Sequence, residues 1–440
     1  MIKRILDDEL FVHENGKIYT APKTSGVDNK KYTIAIVIDT VVAIPPTTGV
    51  TYRLYYLSKE LIKRGHKILW ILGNRNFKTE ESLNELSKSG IKIHLLPPDI
   101  FYDADYLSSI LIKEKVEIVQ YEITQTFLAL GLQIRERTKL PTLLELHDVE
   151  ATLRDTLDRG SESPVMKFLQ YAAGVYADAI ISMTPLDYNT LVKKIGVQKT
   201  KMVLVPNGVS INKITPSVTN KSENTLLFLG NLFYPPNQKG FQYIADEIMP
   251  ELASKRDVTL KSIGMVPEDL VTKYSNRSDI IILREIKNEQ TFVDEVSSST
   301  IGLCTVFAGS GMKIKILDYC LSGLPVISTT IGASGYEEVD SLIIKNSKQK
   351  IIKAIEKLLD NSSAAQEIGQ KNQEKILNLY GWPKIAEKFE TALSLANDFN
   401  LRRFKEVSFQ PFWMEENRHA VDIMSSHFLI DNEVVHKYEK

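Results

Sequence analysis

The sequence predicts an α/β fold of two domains, each a doubly wound, parallel sheet flanked by helices. Short apolar strands alternate with amphipathic helices along most of the chain, which is the rhythm of successive βαβ units. A polar stretch, ITPSVTNKSEN, interrupts this alternation, and a second series begins at TLLFLGN. The chain of 440 residues is also longer than a single hydrophobic core usually organises. We therefore expect two Rossmann-like halves that face a common cleft.

The strands of both halves are short apolar runs, as expected of parallel strands that are buried on both faces. In the first half they read TIAIVID, KILWILG, IKIHLLP, VEIVQY, PTLLEL, ADAIISM and KMVLVPN. In the second half they read TLLFLGN, VTLKSIG, IIILR and the run from Ile301 to Phe307. Segments with a helical apolar stripe lie between them, among them VTYRLYYLSKELIKRG, EESLNELSKSG, YLSSILIKEK and GFQYIADEIMPELA.

The expected domain boundaries follow from the same shifts in pattern. Residues around Asn15-Gly16 alternate apolar and polar, which is typical of a β-hairpin with a two-residue turn. Near the other end, one helix stops at Gly381-Trp382 and another starts with Pro383, which a first helical turn tolerates. We divide the chain into an N-terminal extension, a first domain, a linker, a second domain, a further helix and a C-terminal extension without assigned function: residues 1–31, 32–208, 209–222, 223–380, 381–396 and 397–440.

The amino-acid composition argues against some classes of function. Lys plus Arg number 54 and Asp plus Glu 55, and this balance argues against a protein built mainly to bind nucleic acid. Cys304 and Cys320 are the only cysteines, so a disulfide framework is not expected and a reducing compartment is favoured. No apolar run approaches the roughly 20 residues that span a bilayer, and the N-terminus lacks the pattern of a signal peptide. We expect a cytoplasmic protein.

The segment that most strongly indicates a function is a glycine-rich loop between a buried strand and a helix. Gly309 and Gly311 let the backbone turn tightly and approach a ligand where a Cβ would intrude. A helix from about Met312 to Leu321 is expected to follow, so that its first N–H groups point at the same spot. Lys313 and Lys315 would add positive charge in its first turns. This pattern predicts a site for a diphosphate.

The loop and three other segments resemble GT-B glycosyltransferases of the family-4 type. The matching elements are GSGMKIKILDYC, LSGLPVIST and GASGYE in the second half, and PPTTG, LHDVE and VPNGV in the first. The resemblance covers most of residues 33–396 in order and spacing. It implies a nucleotide-diphosphate sugar bound mainly by residues 222–378 and a glycan or lipid-linked acceptor bound mainly by residues 32–206. It also implies retention of anomeric configuration and a last helix that crosses back to the first domain.

In the first domain, His147 stands just past the strand PTLLEL, at the edge where open α/β sheets bind ligands. The resemblance implies that it lies beside the transferring sugar, so we take it as a catalytic candidate. Asp148 and Glu150 are more typical of the start of the following helix. The N–H of Gly49 either contacts a phosphate or the acceptor, or serves only a strand-to-helix turn. Asn207 belongs to a turn pair near the expected hinge, with a minor contribution to the ligand site.

In the second domain, the segment FLGNLFYPPNQKGFQ resembles the family segment in which an Arg and a Lys clamp the diphosphate. Asn231 replaces that Arg, and Lys239 stands where the Lys would be. Negative charge that develops on a leaving diphosphate has to be neutralised by fixed donors and cations. We therefore expect Lys313 and Lys315 to compensate, with Lys313 as the catalytic candidate.

The helix after the loop departs from the family pattern. The family has Glu where this chain has Asp318, and a second Glu eight residues earlier, where this chain has Ser310. Asp318 is expected to hold ribose hydroxyls, as an acid does in dinucleotide folds, or to pair with Lys315 for only about 0.2–0.5 kcal/mol. Ser310 cannot supply a negative charge beside the donor sugar, which leaves the sugar and the activity itself open. The expected donor loop comprises Gly309, Ser310, Gly311 and Met312.

One pattern resembles a metal site. Asp103 and Asp105 have the Asp-x-Asp spacing that some glycosyltransferases use for a divalent cation. The same residues precede the helix YLSSILIKEK and serve equally well as its N-terminal cap. We favour the cap and predict that no metal or other cofactor is essential.

The segment KELIKRGHK is basic and amphipathic, which predicts peripheral association with the inner face of a membrane; a solvated helix face is the alternative. Two other functions compete with sugar transfer. A non-catalytic GT-B subunit or nucleotide-sugar-binding protein is suggested by Ser310 and Asn231. A nicotinamide-dependent oxidoreductase would need G-x-G-x-x-G after the first strand, where IDTVVAIPPTTG stands instead.

Overall fold

The computed structural model describes most of the main fold and two short strands before it. The described residues are 10–12, 18–20, 30–39, 42–44, 46, 48–73, 80–156, 159–210, 224–286 and 288–406. Strands β1 (Leu10–Val12) and β2 (Ile18–Thr20) pair in antiparallel fashion, as the hairpin prediction requires. The turn at Asn15-Gly16, most of the linker over 209–222 and the residues beyond 406 lie outside the described ranges.

The first domain is built on a seven-stranded parallel sheet. Its strands are β3 (Thr33–Ile38), β4 (Lys67–Gly73), β5 (Lys92–Leu96), β6 (Ile118–Tyr121), β7 (Thr142–Leu146), β8 (Ala179–Ser182) and β9 (Met202–Leu204). They lie in the order β5-β4-β3-β6-β7-β8-β9. The central strands are buried on both faces, which explains why they read as continuous apolar runs and not as alternating patterns.

The second domain repeats this architecture with six parallel strands. They are β10 (Thr225–Leu229), β11 (Thr259–Ile263), β12 (Ile280–Leu283), β13 (Ile301–Cys304), β14 (Val326–Ser328) and β15 (Ile343–Ile344). Their order across the sheet is β12-β11-β10-β13-β14-β15. The predicted fold class, two doubly wound parallel sheets, is confirmed.

Helices cover both faces of each sheet. In the first domain they are α1 (Gly49–Lys63), α2 (Glu80–Lys88), α3 (Pro98–Phe101), α4 (Ala104–Lys113), α5 (Thr124–Thr126), α6 (Leu132–Thr138), α7 (Glu150–Thr156), α8 (Ser163–Tyr176) and α9 (Pro185–Thr190). After β10 they are α10 (Pro235–Gln242), α11 (Met249–Ala253), α12 (Glu268–Tyr274), α13 (Glu289–Ser297), α14 (Lys315–Leu321), α15 (Lys348–Asp360), α16 (Ser362–Tyr380) and α17 (Trp382–Glu406).

The last helix, α17, leaves the second domain and packs on the first. Its Trp382, Ile385 and Phe389 side chains are buried in the core that also contains residues of β3 and β4. Two backbone hydrogen bonds tie its start to the end of the first domain, from Val209 N–H to Tyr380 O at 2.8 Å and from Trp382 N–H to Val209 O at 3.2 Å. The helix runs to Glu406, ten residues beyond the expected segment.

Both sheets reverse their strand order beside the first strand of the domain. The chain passes outward from β3 to β5 and then returns to β6 on the other side of β3, and β10 and β13 have the same relation. Open α/β sheets bind ligands beyond the carboxyl ends of their strands at such reversals. The loops after β3, β6, β10 and β13 are therefore where a site is expected.

Candidate active site between the two domains

The glycine loop of the second domain meets the turn that carries His147. Gly311 has φ +74°, a conformation that favours glycine. A Cβ added there would lie 2.7 Å from the carbonyl oxygen of His147 and closer still to the Asp148 carboxylate. Only glycine allows this approach between the loop after β13 and the turn after β7. Two segments that the sequence pattern indicated separately thus lie in contact at one candidate site.

The polar groups of the loop are held by a carboxylate that the sequence analysis did not select. Asp187, 5% exposed near the start of α9, accepts hydrogen bonds from Ser310 Oγ at 2.6 Å and from Gly311 N–H at 2.9 Å. Ser310 Oγ in turn accepts from Val149 N–H at 2.7 Å. The Gly311 N–H is therefore already bonded within the protein. An anion that used this N–H would have to displace Asp187.

The helix after the loop begins later than predicted. It starts at Lys315 and not at Met312, so Lys313 lies in the loop and not in a helical turn. The Lys313 ammonium donates to the carbonyl oxygens of Ser310 and Gly311, at 2.7 and 2.9 Å. Met312 is buried, and its Sδ accepts from Asn207 N–H at 3.2 Å. Lys313 and Met312 thus contact the loop and the first domain, and the helix begins only after them.

The buried ammonium group of Lys315 lies beside the loop after β10. Its ammonium donates to Asn237 Oδ1 at 2.9 Å and lies 4.0 Å from the centre of the Phe228 ring. A Cβ added at Gly230 would be 3.0 Å from it, so the cation stands beside Asn231, the residue that replaces the family's Arg. Burial lowers the pKa of Lys315 to about 8. Lys315 therefore bonds to Asn237 instead of forming the alternative pair with Asp318.

Lys239 and Asn231 are both exposed, the first on α10 and the second in the loop before it. Asn231 Oδ1 accepts from Phe233 N–H at 2.9 Å, which shapes the turn that precedes α10. Gly309, with φ +108°, lies under the same turn, where an added Cβ would be 3.6 Å from Tyr234 Oη. The loops after β10 and β13 are thus adjacent, as the strand order requires.

Asp318 is half-buried on α14 and faces the first domain. Burial is the main reason why the pKa of Tyr52 is raised, and the charge of Asp318 raises it further. Burial likewise raises the pKa of Tyr56 to about 12, with smaller contributions from Glu289 and Asp318. Both tyrosines lie on α1 and pack against Trp382, with ring centres 6.0 and 6.2 Å from the indole. This aromatic group is not evident from the sequence, because Trp382 is far along the chain from the two tyrosines.

Gly49 lies at the contact between the domains. It is the first residue of α1, after the N-cap Thr48, and an added Cβ would be 3.0 Å from Ile314 Cδ1. Asn207 is buried on the same side, since its N–H contacts Met312 and its Oδ1 lies 3.4 Å from Arg53 Nη1. Both residues therefore join the two halves of the site.

A buried polar network lies beneath His147. Arg53 of α1 is fully buried, and its guanidinium donates to the Glu145 carboxylate and to Pro206 O, the latter at 2.6 Å. Gln120 Nε2 donates to Glu145 Oε2 and to Glu122 Oε1, both at 2.6 Å. The sequence signal was present, because Gln and Glu inside strands that are buried on both faces need polar partners.

His147 completes the network. Its Nε2 lies 2.9 Å from Glu122 Oε2, and its side chain is 13% exposed while that of Glu122 is 1% exposed. Burial raises the pKa of Glu122 to about 8, although the Gln120 hydrogen bond and the Arg53 charge act in the opposite direction. Burial lowers the pKa of His147, against the opposing charge of Glu145. Loss of hydration on burial therefore favours the neutral forms of both groups.

The Asp103-Ala104-Asp105 pattern and the two cysteines lie outside the cleft and have structural roles. Asp103 caps α4, with Oδ1 accepting from the N–H groups of Asp105 and Tyr106 at 2.9 and 3.0 Å, and Asp105 pairs with Arg137. Among the described residues no group of three or more His, Cys, Asp or Glu is arranged to hold a metal ion. Cys304 and Cys320 are buried and not bonded to each other.

The basic segment at the end of α1 is largely neutralised within the protein. Lys63 pairs with Glu60 at 3.1 Å, and Arg64 and His66 contact Glu390 at 2.6 and 2.9 Å. None of the helices in the described part of the chain combines the length and hydrophobicity that a bilayer-spanning segment needs.

Family models match both halves of the chain. The model described as "Glycosyltransferase Family 4" matches residues 47–213, and the model described as "Glycosyl transferases group 1" matches residues 223–361. Together the two matches span more than half of the chain, and they include the His147 turn and the glycine loop. The chain belongs to the family-4-like glycosyltransferases of the GT-B fold.

Individual relatives are distant. One component of the phosphatidylinositol N-acetylglucosaminyltransferase of Arabidopsis thaliana is 23% identical over 392 residues, which cover 82% of each chain. Sucrose-phosphate synthase from Thermosynechococcus elongatus superposes with a TM-score of 0.65 at 14% identity, covering 86% of this chain and all of that one. HepE from Anabaena, solved with UDP and glucose, gives 0.63 at 14% identity over 82% of this chain and 99% of that one. These structural likenesses establish the fold.

Proposed function

We propose that this protein transfers a sugar from a nucleotide-diphosphate sugar to a glycan or lipid-linked acceptor, with retention of anomeric configuration. The diphosphate would lie between the loops after β10 and β13, near Lys315 and Lys313. The acceptor would approach from the first domain, and His147 would contact the sugar or the leaving diphosphate. Closing the domains would exclude water and protect the donor from hydrolysis.

One observation carries the proposal. The turn of His147 and the loop of Gly311 come from different domains, yet they approach so closely that a Cβ cannot be accommodated between them. A donor held by one loop would therefore lie next to the turn that carries His147. Proximity of this kind contributes to rate because the reacting groups are already oriented.

The acceptor class, the location and the metal independence are parts of the proposal. The name of the Arabidopsis relative includes phosphatidylinositol, which supports a lipid-linked acceptor and a place at the inner face of a membrane. Buried Lys315 and the Lys313 ammonium would supply the positive charge that a metal ion supplies in other transferases. Addition of EDTA should leave turnover unchanged.

The test is a panel of UDP-, GDP- and ADP-sugars, in which nucleoside diphosphate release and thermal shifts are both measured. A sugar nucleotide that binds the native state should raise the melting temperature, and the right one should also be turned over. Lys313→Ala should weaken turnover and affinity together, whereas Lys388→Ala, on the far helix α17, serves as the matched control. Absence of binding and hydrolysis across the panel would refute the transferase.

A nucleotide-sugar-binding protein without catalytic activity is the second candidate. It is favoured by Asp187, whose carboxylate already occupies the Gly311 N–H and the Ser310 hydroxyl. In that case the panel would give thermal shifts without release of a nucleoside diphosphate. Lys313→Ala would then lower affinity in a protein that has no turnover to lose.

A further inference from the structure

The contacts around His147 assign a role to a residue outside the predicted site. We infer that Glu122 is a positioning residue that holds His147 through Nε2 and so determines whether Nδ1 carries a proton. The inference deepens the proposed function and rests on it for the catalytic consequence. The geometry of the pair is independent of that function.

The first argument is position. Glu122 directly follows β6, beside the reversal of strand order between β3 and β6. His147 directly follows β7, the neighbouring strand, so both side chains emerge at the carboxyl edge of the sheet. Ligands bind at this edge in open α/β sheets. The acid is therefore placed under the candidate site and not at a random point of the core.

The second argument is that the pair is a poor choice for stability alone. A buried acid and imidazole lose their hydration, and apolar residues of similar volume often stabilise a core at least as well. Glu122 is 1% exposed, and its second oxygen is bonded to Gln120 Nε2 at 2.6 Å. Every contact to the carboxyl group is therefore directional. Such fixed polar groups are the means by which an imidazole is held in one orientation.

The third argument is charge. The charged groups that face the pair are Arg53 from α1, Glu145 from β7, Asp148 beside His147, and Lys313 acting on Asp148 from the second domain. Arg53 is already paired with Glu145. Since Glu122 shares this cation and is fully buried, the loss of hydration raises its pKa to about 8.

The chemical consequence is a choice of tautomer. Below about pH 8, the Glu122 O–H donates to His147 Nε2, and the neutral imidazole carries its proton on Nδ1. Above that pH, the Glu122 carboxylate accepts from Nε2–H, and Nδ1 becomes an acceptor. Only the first form offers an uncharged N–H donor to a sugar hydroxyl or a diphosphate oxygen.

The Glu122→Gln variant keeps a side chain that can orient His147 but removes the group that ionises. Gln120 Nε2 donates to Glu122 Oε1, so the carbonyl oxygen of the new Gln should take that place. Its NH₂ group then faces His147 Nε2 and keeps the proton on Nδ1 at every pH. Glu122→Leu removes both contacts. Glu390→Gln is the matched control, because Glu390 lies 2.9 Å from His66 Nε2 away from the cleft.

The first measurement is ¹⁵N NMR of histidine-labelled full-length protein, with His147 assigned by comparison with His147→Gln. We expect wild type and Glu390→Gln to change from Nδ1–H to Nε2–H with a midpoint near pH 8, and Glu122→Gln to remain Nδ1–H. An identical titration of His147 in wild type and Glu122→Gln would overturn the inference. This readout requires no activity, so it stands even when the proposed function fails.

The second measurement is the pH profile of turnover with the sugar nucleotide that the panel identifies. Wild-type kcat should fall above about pH 8, Glu122→Gln should keep its activity there, and Glu122→Leu should lose about 10-fold or more at every pH. Thermal melting checks that the variants are folded. Unchanged kcat in folded Glu122→Leu would remove the catalytic consequence, whereas absence of wild-type turnover counts against the proposed function.

Discussion

Two buried Glu–His pairs in this protein share a contact distance and differ in electrostatics. His147 Nε2 lies 2.9 Å from Glu122 at the cleft, and His66 Nε2 lies 2.9 Å from Glu390 at the opposite side of the first domain. Burial opposes the ionisation of Glu390, but hydrogen bonds from Arg64, His66 and Lys31 prevail and lower its pKa to about 2. Burial dominates at Glu122 and raises its pKa to about 8.

The difference comes from the number of cations and from where they are used. Arg64 and Lys31 both bond to Glu390, at 2.6 and 3.0 Å. At the cleft, the buried guanidinium of Arg53 is bonded to Glu145 and reaches Glu122 only through the longer-range field. Glu390 is therefore ionised and bonds α17 to the segment that follows α1. The Glu122–His147 pair, in contrast, is nearly neutral and lies next to the candidate active site.

The largest contrast is expected when each histidine is removed. His147→Ala should reduce kcat by about 100-fold or more, because under the proposed function it deletes a hydrogen-bond donor to the sugar or the leaving diphosphate. His66→Ala should leave kcat near the wild-type value and lower the melting temperature, since it removes the hydrogen bond between His66 and Glu390 of α17. Both are measured by steady-state kinetics at a temperature where both variants are folded. Equal losses of kcat would erase the distinction between the two pairs.

A second contrast concerns stability and pH in the two Glu→Gln variants. The pKa of Glu390 is lowered, so its contribution is present above the unfolded value near 4.5 and disappears as the pH falls through about 2. Glu390→Gln should therefore lose about 1–2 kcal/mol of unfolding free energy at neutral pH. The loss should shrink in acid.

Glu122 should behave in the opposite way. Its pKa is raised, so its contribution is present below about 4.5 and is lost as the pH rises through about 8. Glu122→Gln should therefore gain stability relative to wild type as the pH rises across this window. Urea unfolding at pH 5, 7 and 9 measures both variants. Parallel curves for wild type and Glu122→Gln would show that the pKa of Glu122 is not raised.

The smallest effect on stability is expected when Arg64, one of the cations that bond to Glu390, is replaced. Arg64→Gln should raise the pKa of Glu390 and lower the unfolding free energy by about 0.5–1 kcal/mol, since the Arg64 side chain is 26% exposed and screened by solvent. A double-mutant cycle with Glu390→Gln isolates the interaction. If Arg64→Gln loses as much in the Glu390→Gln background, the ion pair does not lower the pKa of Glu390.

Much of the fold was predictable because it depends on local patterns. The run KILWILG and the strand β4 have the same bounds, Lys67–Gly73, since every residue after Lys67 is buried and parallel strands of this kind are rich in apolar residues. The position of His147 was predictable for a related reason, because ligand sites of open sheets follow strand ends. The start of α14 was predicted three residues too early, since the contacts of Lys313 and Met312 cannot be read from propensity.

Residue patterns alone were enough to predict the two parallel sheets, the family, and the two segments that meet at the candidate site. These depend on residue patterns within short windows, where hydrophobic periodicity and glycine placement act directly. Only the tertiary structure decided that Asp187 bonds to the Gly311 N–H, that Lys315 stands beside Gly230, and that Glu122 holds His147. Those contacts join residues from distant segments, and their charge states depend on burial and on which cation is already paired. Neither quantity exists until the domains have packed.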